Sequence, residues 1–230
     1  MRNEETIDWS QLKAVVFDVD GTLYDQKKLR KRMLLALLRH YLPRPWQAGD
    51  VLLLSRFRAE RERRAGQGVP GLEEAQYSWC ARRGGYTAAS VRRVVEHWMH
   101  RFPLRYLASC IYPGTADFFH ALRSAGIQVA VYSDYPATDK LNALGLQADV
   151  VVSSTDPAVD YLKPDPRGLR LVAERLGVDV TECLFIGDRQ ELDGACAERA
   201  GMPYLILGKG PEAYAFYPSL LKQMNISVNA

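Results

Sequence analysis

Two aspartates separated by one residue, Asp18 and Asp20, end an apolar run in the segment VVFDVDGTLY. Two carboxylates this close repel each other, so they need a cation, a proton or another positive partner nearby. A carboxylate can attack an electrophilic atom, and a second carboxyl group beside it can transfer a proton. The pair is therefore the first candidate for a catalytic site.

Other chemically capable residues also follow apolar runs. If these runs are parallel strands, their carboxyl ends meet at one edge of the sheet and bring the groups together. Carboxylates, a hydroxyl and a lysine, without a suitable His/Cys cluster, favour Mg²⁺ as a hard ion and indicate phosphoryl transfer. The residues are Ser133 and Asp134 after VAVY, Lys163 in YLKPDP, Asp188 after LFI, and Asp193 five positions later.

The elements that must position these groups follow an α/β pattern. Apolar runs with strand character occur at 14–17, 129–132, 150–152, 184–186 and 204–207. Helical patterns such as TADFFHALRSAG, ATDKLNALG and PRGLRLVAERLG lie between the later runs. This alternation predicts a Rossmann-like parallel sheet with helices on both faces.

The stretch from 25 to 110 contains only helical patterns and Gly/Pro turns, and it is far longer than a βαβ crossover requires. We expect an all-α cap inserted after the first strand. The predicted domains are an α/β core, 1–24 and 111–230, and a helical cap, 25–110. The cap contains 18 Lys and Arg against 7 Asp and Glu, whereas the net charge of the whole chain is only +3.

Three interpretations of this basic cap stay open. Its charge can be a solvated surface, or it can attract a substrate with more negative charge than one phosphate group. In the third, the segment KKLRKRMLLALLRHYLPRPW contacts a membrane surface, and the substrate is then a lipid-linked phosphate. The helical stripe of Leu29, Met33, Leu37 and Tyr41 would equally serve as the core of the cap. No nucleic-acid partner is expected, because no recognised binding module accompanies the charge.

The composition favours a cytoplasmic protein. No apolar run is long enough to span a membrane, and the first residues lack the apolar segment of a secretory signal. The four cysteines have no CxxC spacing and no disulfide-framework density, so reduced thiols are expected. The sequence indicates no particular oligomeric state.

Four segments, DVDGTLYD, VYSD, KPDP and GDRQELD, resemble in this order the motifs of the haloacid dehalogenase-like hydrolase superfamily, near its phosphoglycolate-phosphatase-like branch. The resemblance covers residues 12–24 and about 110–208. The cap resembles the family only in its position and its helical character.

The resemblance implies catalytic and metal-binding roles for four aspartates. Asp18 would be the nucleophile and a Mg²⁺ ligand. Asp20 would be the general acid/base and would give the metal its backbone carbonyl. Asp188 would complete the protein ligands, with Asp193 as a ligand or as a support for them. Dehalogenases of the superfamily lack the acid/base aspartate, so Asp20 favours phosphate esters.

The resemblance also implies a phosphate-binding set. Ser133 and Lys163 would bind the phosphoryl group, Gly21 would allow a tight turn towards it, and Thr22 would orient Asp20. Asp134 stands where the family commonly has asparagine, at a position that the family uses largely through its backbone N–H, and this donor is kept. Its carboxylate is expected either to cap the next helix, which we favour, or to adjoin the phosphate.

The functional prediction is a Mg²⁺-dependent phosphatase that acts on a phosphorylated small molecule through an aspartyl-phosphate on Asp18. A phosphomutase of the same fold shares the four motifs and stays an alternative, as does a non-catalytic protein that binds a phosphorylated ligand or a membrane. Arg189, next to Asp188, is expected either to recognise substrate or to be solvated.

Overall fold

Five short parallel strands form one sheet. The structure is a computed structural model that describes residues 7–81 and 85–228. The central strand is the first in the chain, so the connections run to one side of it and then to the other. The strands are β1 (Ala14–Phe17), β2 (Gln128–Ser133), β3 (Val150–Ser153), β4 (Cys183–Gly187) and β5 (Tyr204–Ile206). Their order in the sheet is β3-β2-β1-β4-β5. The predicted α/β class and all five predicted strands are confirmed.

Six α-helices and no strand of the described chain lie between β1 and β2, and the first five of these helices lie within residues 25–110. We call residues 25–110 the helical insert; the predicted domain bounds themselves stay a prediction. A π-helical turn, Glu96–Arg101, extends the fourth of these helices. The helices of the insert are α1 (Gln26–Tyr41), α2 (Gly49–Arg63), α3 (Leu72–Ser78), α4 (Ala88–Val95) and α5 (Leu104–Leu107).

The remaining helices cover both faces of the sheet. α7, α8 and α9 each end at a glycine in the left-handed conformation, as their sequence patterns predict. The helices are α6 (Thr115–Ser124), α7 (Thr138–Leu144), α8 (Arg167–Leu176), α9 (Ala195–Ala200) and α10 (Pro211–Val228).

Alternate residues of β1 point to opposite faces of the sheet and enter two separate apolar clusters. Val15 and Phe17 pack in the cluster that α6, α7 and α10 cover. Ala14 and Val16 pack in the cluster that α8 and α9 cover. Burial on both faces explains why these strands are continuous apolar runs.

The helical insert has an apolar cluster of its own, which includes Leu53, Phe57, Val95 and Trp98. The inner face of α1 contributes the stripe singled out in the sequence, in which Leu29 and Tyr41 are buried and Met33 and Leu37 pack against the apolar clusters. That stripe therefore does serve as part of the core.

The insert starts and returns beside the carboxyl end of β1. Tyr24 and Ile111 form an antiparallel bridge, and the N–H of Asp25 donates to the carbonyl of Cys110 at 2.9 Å. The insert also touches the loop before α8, where the N–H of Gly66 donates to the carbonyl of Lys163 at 3.0 Å. No helix among the described residues has the length and apolar character needed to cross a bilayer.

Candidate active site

Asp18 lies directly after β1 and is almost fully buried. Its N–H donates to the carbonyl of Ile186 at 2.8 Å, which extends the sheet pairing by one residue. One carboxylate oxygen accepts from Lys163 Nζ at 2.7 Å, and the other accepts from Thr22 Oγ1 at 3.1 Å. The side chain is thus fixed from two sides at the switch point of the sheet, between the strands on either side of β1.

Lys163 is a buried cation shared by two carboxylates. Its Nζ lies 2.7 Å from Asp18 Oδ1 and 2.8 Å from Asp193 Oδ1. The rings of Tyr132 and Phe185 lie 5.0 and 5.2 Å from the ammonium. Burial lowers the pKa of Lys163, but the charges of Asp18 and Asp193 outweigh it and raise that pKa well above its usual range. The lysine is therefore positively charged in the folded protein.

Asp193 holds the loop that follows β4. Its second oxygen accepts from the backbone N–H groups of Asp188 at 3.1 Å and Arg189 at 3.0 Å. Asp193 itself is buried, so these bonds and the contact with Lys163 satisfy a carboxylate that water barely reaches. Asp193 thus fixes the backbone of the loop that carries Asp188.

Asp18, Asp188 and Asp193 form an acidic cluster with too little positive charge. One oxygen from each lies within 4.8 Å of the others. Burial, together with the charge of Asp193, raises the pKa of Asp188 to about 7. Burial also raises the pKa of Asp18 well above its usual range, although Lys163 opposes this. Buried oxygen ligands with uncompensated negative charge fit a hard divalent cation such as Mg²⁺.

Gly21 lies against this cluster. Its backbone has φ of 105°, a conformation that side chains disfavour, and a Cβ at this position would lie 2.4 Å from Asp188 Oδ2. Glycine is therefore needed both for the turn and for the space that Asp188 occupies.

Asp20 points to a different set of partners. Both its oxygens accept from Lys140 Nζ at 2.6 Å, and the hydroxyl of Tyr24 donates to it. Burial raises the pKa of Asp20, but the ion pair and hydrogen bonds with Lys140 and Tyr24 outweigh it and lower that pKa. The two aspartates of the opening motif are thus held by separate lysines.

Lys140 is a site residue that the sequence predictions missed. It lies on the buried side of α7 with Ala137, Leu141 and Leu144. A lysine within such an apolar helical stripe is the signal that could have identified it, because a buried lysine needs a partner.

Two implied side-chain roles are wrong. Thr22 donates to Asp18, and Asp20 is oriented by Lys140 and Tyr24 instead. The carboxylate of Asp134 does not cap α7, whose N-cap is Ala137 and has no side-chain cap. The physical reason is a nearer partner for each side chain. The turn after β1 places the hydroxyl of Thr22 against the carboxylate of Asp18, and the carboxylate of Asp134 accepts from Ser154.

Asp134 joins the core to the helical insert. Its carboxylate accepts from Ser154 Oγ at 3.2 Å, and its backbone carbonyl accepts from a guanidinium nitrogen of Arg61 at 2.5 Å. Arg61 is buried and lies over the ring of Tyr135 at 4.3 Å. Ser133, at the end of β2, is fully buried, and its Oγ accepts from the N–H of Tyr135 at 3.4 Å.

Arg189 lines the cavity described below and its side chain is 37% exposed, so both expectations for this residue, substrate recognition and solvation, stay predictions. Its guanidinium pairs with Glu62 of α2 at 2.6 and 3.0 Å and with Glu191 at 2.9 Å. The last turn of α2 therefore contacts the loops after β2 and β4, through Arg61 and Glu62 respectively.

A cavity of about 860 Å³ lies between the acidic cluster and the helical insert. Asp18, Asp20, Gly21, Asp134, Lys163, Asp188 and Asp193 line its core side. Basic residues of the insert line the other side, namely Lys27, Arg30, Arg58 and Arg61. Seven of the nine predicted site residues thus line one cavity, while Thr22 and Ser133 are fully buried beside it.

Comparison with known proteins agrees with this architecture. Residues 12–201 match the family model of the haloacid dehalogenase-like hydrolases. The phosphoglycolate phosphatase of Rhodospirillum rubrum is 28% identical over 204 residues, which cover 86% of this chain and 80% of that protein.

Solved structures with low sequence identity share the fold. A structure of the HAD-hydrolase YfnB from Bacillus subtilis, bound to magnesium, has a TM-score of 0.63 at 18% identity and covers 93% of this chain and 99% of that one. The β-phosphoglucomutase of Clostridium difficile has a TM-score of 0.60 at 15% identity, with 95% and 100% covered. The phosphatase relatives indicate a phosphatase, and the chain belongs to the haloacid dehalogenase-like hydrolase family.

Proposed function

We propose that this protein is a Mg²⁺-dependent phosphatase that hydrolyses small phosphomonoesters through an aspartyl-phosphate on Asp18. The observation that carries the proposal is the position of Asp18 at the base of the cavity. Its carboxylate is fixed by Lys163 and Thr22, and Asp188 lies beside it.

The acidic cluster supports a role in metal binding. The carboxylates of Asp18 and Asp188 and the backbone carbonyl of Asp20 would hold Mg²⁺. Bound Mg²⁺ would supply positive charge that neutralises phosphate oxygens and the repulsion between the carboxylates. Both oxygens of Asp193 already accept hydrogen bonds from Lys163 and the 188–189 backbone, which favours support over direct ligation for this residue.

The reaction would take two displacements. In the first, a carboxylate oxygen of Asp18 attacks phosphorus, the bond to the ester oxygen breaks, and Asp20 gives its proton to the leaving alcohol. In the second, water attacks the phosphorus of the aspartyl-phosphate, Asp20 takes a proton from that water, and phosphate leaves Asp18. Lys163 keeps its positive charge throughout and offsets the charge on the phosphoryl oxygens.

The remaining core residues would bind the phosphoryl group. Gly21 allows the backbone to approach it, Ser133 ends the neighbouring strand β2, and the N–H of Asp134 follows directly. Although burial opposes it, the ion pair with Lys140 lowers the pKa of Asp20, which makes protonated Asp20 a stronger proton donor to the leaving alcohol and leaves it ionised for the second displacement. The proton that Asp20 then takes from water is the one that it gives to the alcohol in the next turnover.

The basic wall of the cavity supports a substrate with a second anionic group. Lys27, Arg30 and Arg58 of the helical insert are exposed and line the cavity opposite Asp18. A carboxylate or a second phosphate two or three bonds from the ester would meet this charge. Phosphoglycolate, the substrate in the name of the Rhodospirillum rubrum relative, has this chemistry.

Release of inorganic phosphate tests the proposal. We expect turnover of a chromogenic phosphate ester with Mg²⁺, and a loss on the order of a thousandfold or more in Asp18→Asn. Asp139→Asn, an exposed change on α7, is the matched control and should keep wild-type activity. If Asp18→Asn retains full activity, the assignment of Asp18 as the nucleophile is wrong.

Substrate class is tested with phosphoglycolate, pyrophosphate and an uncharged alkyl phosphate. We expect kcat/KM to be highest for the substrates with a second anionic group and to fall for them, but not for the alkyl phosphate, in Arg58→Gln. Conversion of a hexose phosphate without phosphate release would indicate the phosphomutase alternative. Binding without any turnover would indicate a non-catalytic protein.

A further inference from the structure

The outer surface of the helical insert exposes large apolar side chains in one place. Among the described residues, seven of the eight exposed large apolar side chains lie between positions 34 and 52. Trp46 is 76% exposed, Leu42 74% and Leu35 69%, so these side chains have almost no packing partner. We call six of these residues the outer apolar patch: Leu34, Leu35, Leu38, Leu42, Trp46 and Leu52.

The outer apolar patch is separate from the core of the insert. The residues of α1 that pack inward are Leu29, Met33, Leu37 and Tyr41. Leu35, Leu38 and Leu42 follow one another at intervals of three or four residues, so they share a second face of the same helix. One stripe of α1 therefore packs in the apolar clusters, and the second stripe is exposed to solvent.

The charge along α1 and the turn after it has one sign. Positions 26–49 contain seven Lys and Arg and no Asp or Glu. The next carboxylate, that of Asp50, already accepts from the hydroxyls of Tyr41 and Tyr86. Lys31 lies one turn before Leu34 and Leu35 on the outer face of α1, and Lys28, Arg39 and Arg44 are exposed around that helix and the turn after it. A surface that combines apolar side chains with cations complements a surface of anions above an apolar layer.

We propose that the outer apolar patch docks on the surface of a membrane that contains anionic lipids. The leucines would enter the region between headgroups and acyl chains, Trp46 would lie at the level of the headgroups, and the lysines and arginines would contact lipid phosphates. A second copy of the chain fits less well, because a symmetric contact would bring the two cationic surroundings together. This inference is independent of the proposed catalytic activity.

The first test is co-sedimentation of the full chain with vesicles. Vesicles of phosphatidylcholine with phosphatidylglycerol should bind the protein, and vesicles of phosphatidylcholine alone should bind it at least about tenfold more weakly. Added salt should weaken the binding, because the lysines and arginines would be screened. No binding to the anionic vesicles at low salt would overturn the inference.

Variants separate the two parts of the patch. The double variant Leu38→Ser/Leu42→Ser and the single variant Trp46→Ser should each reduce the bound fraction at least about tenfold at a fixed lipid concentration. Lys28→Gln with Lys31→Gln should reduce it on anionic vesicles only. Arg93→Gln with Lys222→Gln removes the same charge at exposed sites elsewhere and should change little.

Thermal unfolding and turnover of a soluble phosphate ester establish that each variant is folded, because none of these residues lines the cavity. Binding that persists in both patch variants would overturn the inference. A second contrary outcome is a dimer, detected by light scattering, that does not bind vesicles and that the leucine substitutions convert to a monomer. A second copy of the chain would then occupy the patch.

Discussion

Lys140 Nζ lies 2.6 Å from each of the two carboxylate oxygens of Asp20. The pair is almost closed to solvent, with 8% of the Lys140 side chain and 19% of the Asp20 side chain exposed. Two equal contacts fix the orientation of the carboxylate as well as its charge, and the hydroxyl of Tyr24 adds a third contact. Asp20, the proposed acid/base, is therefore positioned by a helix that follows the neighbouring strand.

Replacement of Lys140 tests this relationship. In Lys140→Gln, Asp20 loses its cation, so its pKa should rise and its carboxylate should lose its fixed orientation. We expect kcat to fall on the order of 10- to 100-fold and the acidic limb of the pH–kcat profile to move to higher pH. Lys140→Arg should restore most of the kcat and most of the position of the acidic limb. A wild-type pH–kcat profile in Lys140→Gln would contradict the role of Lys140 in positioning Asp20. Urea unfolding of each variant distinguishes this effect from a loss of folded protein.

The strands and the convergence of the site could be predicted because both depend on local patterns. Buried parallel strands are continuous apolar runs, as in Ala14–Phe17, and the polar groups follow directly at their carboxyl ends. Topology alone then brings Asp18, Lys163 and Asp188 to one edge.

Side-chain partners could not be predicted in the same way. The contacts of Asp134 are with Ser154 and Arg61, which are far along the chain. Thr22 has two aspartates nearby in sequence, and it contacts Asp18 while Asp20 pairs with the distant Lys140. The contact of Glu62 with Arg189 likewise depends on how the insert packs on the core, which no local period encodes.

Gly21→Ala tests the space beside Asp188. The new Cβ would lie 2.4 Å from Asp188 Oδ2 on a backbone with φ of 105°, so Asp188 must move. We expect kcat to fall by more than about 100-fold, because small misplacement at a reacting centre is costly. The matched control is Gly177→Ala, which also has a positive φ but open space around it and should cost about 1 kcal/mol of stability at unchanged kcat. Equal kcat values for the two variants would contradict this account.

Asp188→Asn tests the metal site through stability. In the metal-free protein the pKa of Asp188 is about 7, above its usual value of 3.8, so the folded state binds the proton more tightly than the unfolded state. The contribution of Asp188 to the free energy of unfolding is therefore complete below the unfolded pKa of 3.8 and is lost as the pH rises through the folded pKa of about 7. We therefore expect metal-free Asp188→Asn to unfold at a higher temperature than the metal-free wild type at pH 8.

Addition of Mg²⁺ should reverse that order. A ligand at 100 times its Kd stabilises the folded state by about 2.7 kcal/mol, so the wild type should gain several degrees in Tm and Asp188→Asn should gain little. Asp117→Asn, an exposed change on α6, should respond to Mg²⁺ as the wild type does. An equal gain in Tm for Asp188→Asn would exclude Asp188 as a ligand.

His100 provides a pH-dependent test away from the acidic cluster. It lies in the π-helical turn of the insert, with its ring 5.7 Å from that of Tyr135, and its Nδ1 is buried without a hydrogen-bond partner among the described residues. Burial, together with the positive charges of Lys140 and Arg61, lowers the pKa of His100 from 6.5 to about 4, although Asp20 opposes this. The histidine is therefore neutral at pH 7.

Because the folded state binds this proton less tightly than the unfolded state, stability should fall as the pH decreases from about 6.5 to about 4. We expect His100→Gln to lose less free energy of unfolding than the wild type between pH 7 and pH 5, by at most about 2 kcal/mol. Urea unfolding at pH 7 and pH 5 measures this difference, and His120→Gln, at an exposed position on α6, should follow the wild type. Parallel curves for His100→Gln and the wild type would show that His100 takes up a proton as readily in the folded as in the unfolded chain. Its neighbours Lys140 and Arg61 would then have to lie farther from the ring than they do here.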